Sequence, residues 1–327
     1  MKLALLAVVF AAGVFAFVTR PHPLPADALQ GLAADAGRGE QVFWAGGCAA
    51  CHADLDATGD EKLLLGGGQA FASPFGTFRA PNISSDPNFG IGGWSAMDLA
   101  NAMVRGVSPN GQHYFPVFPY TSYTKASLQD VVDLQAYLQT LPAVATPSLP
   151  HEVGFPFNIR RSLGGWKFLF FDDSWVIKDP LSPEEERGRY LVEALGHCGE
   201  CHTPRNALGA TDRSRWLAGG PVPAGRGSFP NITPKKLDWN EAEIAEYLLS
   251  GFTPDFDSAG GHMALVVENT AHLPAADRAA IAAYLKIVPP ADDDGVSGDD
   301  SGRKRRQKGK DKSDDDGEAD GDDGDGY

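Results

Sequence analysis

The pentapeptide Cys48-Ala49-Ala50-Cys51-His52 returns as Cys198-Gly199-Glu200-Cys201-His202, and the two copies use every cysteine of the 327-residue chain. Their surroundings match in order. Arg38-Gly39 precedes the first copy as Arg187-Gly188 precedes the second, and Pro81-Asn82-Ile83-Ser84 follows it as Pro230-Asn231-Ile232-Thr233 follows the other. Trp94 answers Trp239, and each half closes on Ala-Tyr-Leu, at 136–138 and 283–285. Self-similarity in a fixed order means one supersecondary unit used twice, so two tandem copies are the economical architecture.

The signals within each copy are helical. Ser95 with Asp98, and Asn240 with Glu243, form the acceptor and partner of an N-terminal capping box directly after each tryptophan. Ser182, Pro183 and Glu185 start a helix before the second pentapeptide. Val131, Leu134, Leu138 and Leu141 recur at helical spacing, as do Ile281, Leu285 and Val288. Strand signals are scarce, and Gly and Pro fill the connections. The segment from Pro142 to Pro180 carries Trp166, Trp175 and several phenylalanines, too aromatic for a free tether, and is expected to pack between the copies.

Two thiols one helical turn apart can each form a thioether with a vinyl group of one macrocycle, and a histidine directly after them can reach its iron. Cys-x-x-Cys-His is accordingly the attachment signature of haem c. Zinc ribbons place paired Cys-x-x-Cys units about 15–20 residues apart, unlike the spacing here. The sequence predicts two covalently bound haem c groups, on Cys48, Cys51, Cys198 and Cys201, with His52 and His202 as proximal iron ligands.

On these residues the chain resembles two tandem class I cytochrome c domains. More narrowly, Cys198 to Asn206, the Pro-Asn-Ile-Ser/Thr pairs and Phe118-Pro119-Tyr120-Thr121-Ser122-Tyr123 look like the cytochrome c subunit of membrane-bound bacterial alcohol, gluconate or aldehyde dehydrogenases. The resemblance implies a mostly α fold with domains at 33–142 and 182–290; composition adds a linker at 143–181, an N-terminal segment at 1–28 and a tail at 291–327. It implies that a glycine meets an aromatic ring where the first and last helices of each domain cross, Gly39 with Tyr137 and Gly188 with Tyr284. It also implies that the Pro204 carbonyl orients His202, a residue replaced by Asp54 in the first copy.

In class I cytochromes a methionine sulfur usually completes the iron, raising its potential. Met263, between the middle and last helices of the second copy, fits that pattern. In the first copy the matching position falls on Phe118 or Pro116, neither of them a ligand. His113 is the candidate there, with an open iron and Met97 or Met103 as alternatives. Either His113 or an open site would leave the first haem lower in potential than the second, so that electrons run from the first to the second. His22, His151, His197, His262 and His272 have no ligand spacing and are read as structural or surface residues.

The ends carry further expectations. Residues 3–18 are an uncharged apolar run after Lys2, read as a membrane anchor or as a signal peptide cut after the Ala26-Asp27-Ala28 triplet. The tail from Ala291 holds 14 acidic and 7 basic residues and almost no apolar ones, which predicts disorder. A net charge of −15 argues against nucleic acid as a partner. No catalytic triad or phosphate loop is recognisable. The expected function is a periplasmic electron carrier on the inner membrane. A periplasmic or membrane-bound dehydrogenase feeds it, and quinone, another cytochrome or an oxidase accepts its electrons. The alternative is a haem enzyme of peroxidase or sulfur-compound dehydrogenase type using an open first haem.

Overall fold

A computed structural model describes residues 2–224 and 227–293. The acidic tail from residue 294 lies outside the described residues, and with it the expectation of disorder there.

The chain begins with helix α1 (Lys2–Val18), 17 residues with large apolar side chains exposed along its length. At 1.5 Å per residue it is about 26 Å long, short of the roughly 30 Å of a bilayer core. No helix among the described residues is long and apolar enough to cross a membrane.

The first half then runs through α2 (Ala36–Ala45), α3 (Cys48–His52), strands β1 (Ala70–Ser73) and β2 (Gly76–Arg79), α4 (Ala96–Arg105), α5 (Tyr120–Tyr123) and α6 (Leu128–Leu138). Strand β3 (Glu152–Val153) and helix α7 (Ser162–Phe170) follow. The second half repeats the order with α8 (Pro183–Arg189), which runs into a π turn at Tyr190–Leu195, then α9 (Gly199–His202), β4 (Gly220–Pro221), β5 (Ser228–Phe229), α10 (Glu241–Ser250), α11 (His262–Thr270) and α12 (Ala275–Ile287). The fold is mostly helical.

The capping residues explain where the helices start. Ser95 accepts from Asp98 N–H, Asn240 from Glu243 N–H and Ser182 from Glu185 N–H, each partner carboxylate returning to the cap N–H. Gly106 (φ 58°) and Gly251 (φ 77°) end α4 and α10 in the left-handed conformation, so the two middle helices stop at matching points.

In each half the first and last helices cross at a glycine. A Cβ on Gly39 would stand 2.9 Å from Tyr137 Cβ, and one on Gly188 2.6 Å from Tyr284 Cβ. Beneath the crossings lie Phe43, Val131 and Leu134 in one half and Val192, Leu195 and Ile281 in the other. They belong to one continuous core that joins both halves.

Strands are few and short. β1 pairs antiparallel with β2, Ala70 opposite Arg79, and β3 adds to the other edge of β2, Gly76 opposite Val153. β4 and β5 form the matching hairpin of the second half. The segment between the halves touches both. Trp166 Nε1 donates to the Leu208 carbonyl at 2.9 Å, and Lys167 Nζ donates to the carbonyls of Arg105 and Gly106 at 2.7 Å each. Burial pushes the Lys167 ammonium down to about 7.

Candidate functional site

Helix α3 carries both cysteines of the first pentapeptide on little more than one turn, entered through Gly47 in the left-handed conformation (φ 63°). At its end His52 Nδ1–H donates to the Pro81 carbonyl at 2.8 Å. The second copy has the same arrangement, His202 Nδ1–H to the Pro230 carbonyl at 2.8 Å. A proton held on Nδ1 leaves Nε2 with the free lone pair that a metal requires, and the carbonyl fixes the ring's direction. Burial lowers both imidazole pKa values, more than the carbonyl bond raises them, which keeps the rings neutral.

The orienting carbonyl corrects an expectation. Pro204, the sequence candidate, gives its carbonyl to Asp212 N–H at 2.7 Å instead. The proline of the repeated Pro-Asn-Ile motif orients the ring in both halves, which removes the apparent asymmetry at Asp54. The asparagine builds the turn: Asn82 Oδ1 accepts from Ser84 N–H and Asn231 Oδ1 from Thr233 N–H, each at 2.9 Å. The loop returns to the site through Gly67 N–H on the His52 carbonyl, 2.8 Å, and Gly219 N–H on the His202 carbonyl, 2.7 Å. The repeated Pro-Asn-Ile motif was the sequence signal for this carbonyl.

The four cysteines form no disulfide. Burial pushes Cys48 and Cys198 up to about 12 and Cys51 and Cys201 up to about 11, so all four are neutral thiols. Two thiols one helical turn apart, followed by an imidazole whose Nε2 is left free, are the donor set that haem c attachment requires. Among the described residues no cluster of three or more His, Cys, Asp or Glu stands ready to hold a bare metal ion. The donor set therefore fits haem c at both pentapeptides.

The two sites are neighbours. Cys201 contributes to the upward shift of Cys51. Tyr123 Oη donates to the Gly46 carbonyl at 3.0 Å and its ring meets that of His197 at 5.6 Å, edge to face. Thr121 Oγ1 and Ser122 Oγ, both on α5, donate to Glu200 Oε1 at 2.8 and 3.2 Å, between the cysteines of the second copy. Arg205 pairs with the same carboxylate and, against its burial, holds it below the usual glutamate range.

Met263 lies half-buried in the first turn of α11 and packs on the core. The halves align through paired bridges, Val107 with His113 and Phe252 with Ser258, followed by Tyr114 N–H on Gly106 O and Ala259 N–H on Gly251 O. This register puts Phe118, not Pro116, opposite Met263, and makes Ser258 the counterpart of His113. The His113 ring is buried with Nε2 2.9 Å from the Thr19 carbonyl, while Nδ1 has no partner. Its Nε2 is thus committed to Thr19. Met103 is buried in α4 and Met97 half-buried there. Among the other histidines, His272 stacks on Trp44 at 3.7 Å and His151 Nδ1 accepts from Arg79 N–H.

The sequence profile of the cytochrome c family matches residues 36–142. A diheme cytochrome c-type protein of Cereibacter sphaeroides is 59% identical over 287 residues, spanning 88% of this chain and 96% of that one. The chain belongs to the cytochrome c family. It is thus a haem c protein of an electron-transfer family. The fructose dehydrogenase cytochrome subunit of Gluconobacter japonicus is 36% identical over 77% of this chain. The gluconate 2-dehydrogenase cytochrome c subunit of Pantoea cypripedii is 34% identical over 78%. This cytochrome spans 52% of the former and 60% of the latter.

Proposed function

We propose that the chain is two tandem cytochrome c domains, at 33–142 and 182–290, carrying electrons from a dehydrogenase toward the respiratory chain. The likeness to cytochrome subunits named for fructose and gluconate dehydrogenases supports a dehydrogenase as donor. Quinone, another cytochrome or an oxidase is the acceptor. Bound haem supplies the one-electron couple; the protein positions and tunes it. Cys48 and Cys51, and Cys198 and Cys201, form the thioethers. His52 and His202 present Nε2 to the irons, and Met263 completes the second.

The observation that carries this reading is the duplicated His Nδ1 to Pro carbonyl bond at one distance in both halves. A single site with a degenerate second motif would not keep its orienting carbonyl. The likeness to cytochrome subunits favours the carrier over the haem-enzyme alternative. We place the carrier on the periplasmic side of the inner membrane, held there by α1, a reading supported by the apolar run after Lys2.

The test is a mass and a spectrum of the purified holoprotein. Two covalently attached haems per chain, with neither reduced haem binding carbon monoxide, support a two-site carrier. One haem refutes it, and carbon monoxide binding at one haem restores the haem-enzyme alternative.

A further inference from the structure

We propose that α1 and α7 together form a lipid-facing foot, retained in the mature protein and locked by Thr19 in a socket that includes His113. This rests on the reading of α1 as the membrane-held segment and adds a second lipid contact and the lock between them.

Thr19, directly after α1, is only 1% exposed. Its carbonyl accepts from His113 Nε2–H at 2.9 Å, and its hydroxyl accepts from Arg161 Nε–H at 2.8 Å and donates to the Phe15 carbonyl at 2.7 Å. Arg161 Nη2 reaches the Ala16 carbonyl at 2.7 Å. Gly164 on α7 touches the Thr19 backbone so closely that a Cβ would stand 2.6 Å from its Cα. Further along, Leu24 N–H donates to Asn101 Oδ1 at 2.7 Å. Cleavage after Ala28 would strip all of these partners at once, leaving His113 and its neighbours facing an empty socket. Buried polar groups without partners cost about 1–3 kcal/mol each. The structure is therefore built around residues that a signal peptidase would remove.

The exposed apolar surface continues from this lock. Phe168 and Leu169 stand one helical turn beyond Gly164 and Gly165 on the same face of α7, and are 72% and 65% exposed. Phe155, just before, is 82% exposed. Charge marks the same patch. Residues 1–26 and 153–171 contain no aspartate or glutamate, in a chain with 43, while Arg20 and Arg161 lie exposed within them. Arg20 stacks over Phe17 at 4.4 Å, at the end of α1. Apolar side chains with a cationic border on an acidic protein fit the interface of a bilayer containing anionic lipid. A soluble partner would leave α1 itself uncovered, and continuity with α1 assigns the patch to lipid.

The test uses the full-length holoprotein in vesicles of phosphatidylethanolamine and phosphatidylglycerol. The native cysteines are consumed by haem, so Phe168→Cys and Leu169→Cys each accept one nitroxide. Phe256→Cys, on a residue 91% exposed in the second half, is the aqueous control. At 168 and 169 the label is expected to favour oxygen over a nickel chelate as relaxing agent several-fold more than at 256. Labels at 168 and 169 that match the control overturn the lipid contact. Spin–spin broadening between copies without oxygen preference overturns it in favour of a second chain. An intact mass of the membrane-extracted protein that includes Thr19 is expected, and a mature chain beginning at or after residue 20 refutes the lock. Haem content in the same mass spectrum tests the electron-carrier reading separately, since lipid contact can fail with both haems in place.

Discussion

Gly188 and Tyr284 approach so closely at the crossing of α8 and α12 that a methyl group on the glycine would sit 2.6 Å from the tyrosine Cβ and against the Ala280 carbonyl. The atoms in the way are backbone and Cβ, which cannot swing aside. Gly188→Ala is expected to destabilise the second half by about 1–3 kcal/mol, the usual cost of overpacking. Gly39→Ala should do the same in the first half, where Asp133 and Tyr137 block the space. Chemical denaturation followed by far-ultraviolet circular dichroism reads both.

Those crossings were legible through the resemblance to class I cytochromes, whose glycine–aromatic pattern both halves match residue by residue, while the caps at Ser95, Asn240 and Ser182 were legible from their own spacing. The orienting carbonyls were not. Pro81 and Pro230 act through backbone oxygens 29 and 28 residues from their histidines, and the repeated Pro-Asn-Ile motif marks the loop without revealing that its carbonyl faces the ring. Pro204, near in sequence, was the wrong proline because its carbonyl closes the local turn at Asp212. Helix α7 was also hidden, with Gly164 and Gly165 in its interior and no side-chain cap. His113 looked free for iron, because the sequence does not reveal that Thr19, 94 residues earlier, occupies its Nε2.

The mismatch between Met263 and Phe118 predicts two unequal reduction potentials, the first haem lower. Met263→Leu should remove the methionine-to-iron band at the red end of the oxidised spectrum. The higher midpoint should fall on the order of 0.2 V, within the about 0.8 V that axial ligands span. A redox titration with two equal midpoints in the wild type contradicts the assignment.

Asp133 predicts the acid limb of stability. Burial alone would raise its pKa. Its oxygens accept from Arg38 Nε–H at 2.7 Å, Asp35 N–H at 2.8 Å and Gln129 Nε2–H at 3.0 Å, and together these hold it below the usual value. A folded-state pKa below the unfolded value gives stability that is present above about pH 3.9 and lost as pH falls through the folded value. Asp133→Asn should cost about 2 kcal/mol at pH 7. The gap in melting temperature to the wild type should hold above about pH 4 and narrow progressively as pH falls below it. A constant difference between pH 7 and 3 would refute the linkage.

Glu193 is a fully buried carboxylate with no counterpart charge in the first half, where the repeat places Trp44. It accepts from Val176 N–H at 2.7 Å, Ile177 N–H at 3.2 Å and Tyr284 Oη–H at 2.6 Å, and so fastens the end of the connecting segment to the α8–α12 crossing. Removing it leaves three donors without an acceptor, two of them buried at about 1–3 kcal/mol each, offset in part by water entering the gap. Glu193→Ala should therefore lose about 3 kcal/mol or more. It should also expose the segment around Val176 to limited proteolysis. Glu193→Gln keeps one acceptor oxygen and should lie between. Cleavage unchanged in Glu193→Ala would mean that Trp166 on Leu208 and Lys167 on Gly106 hold the segment without it.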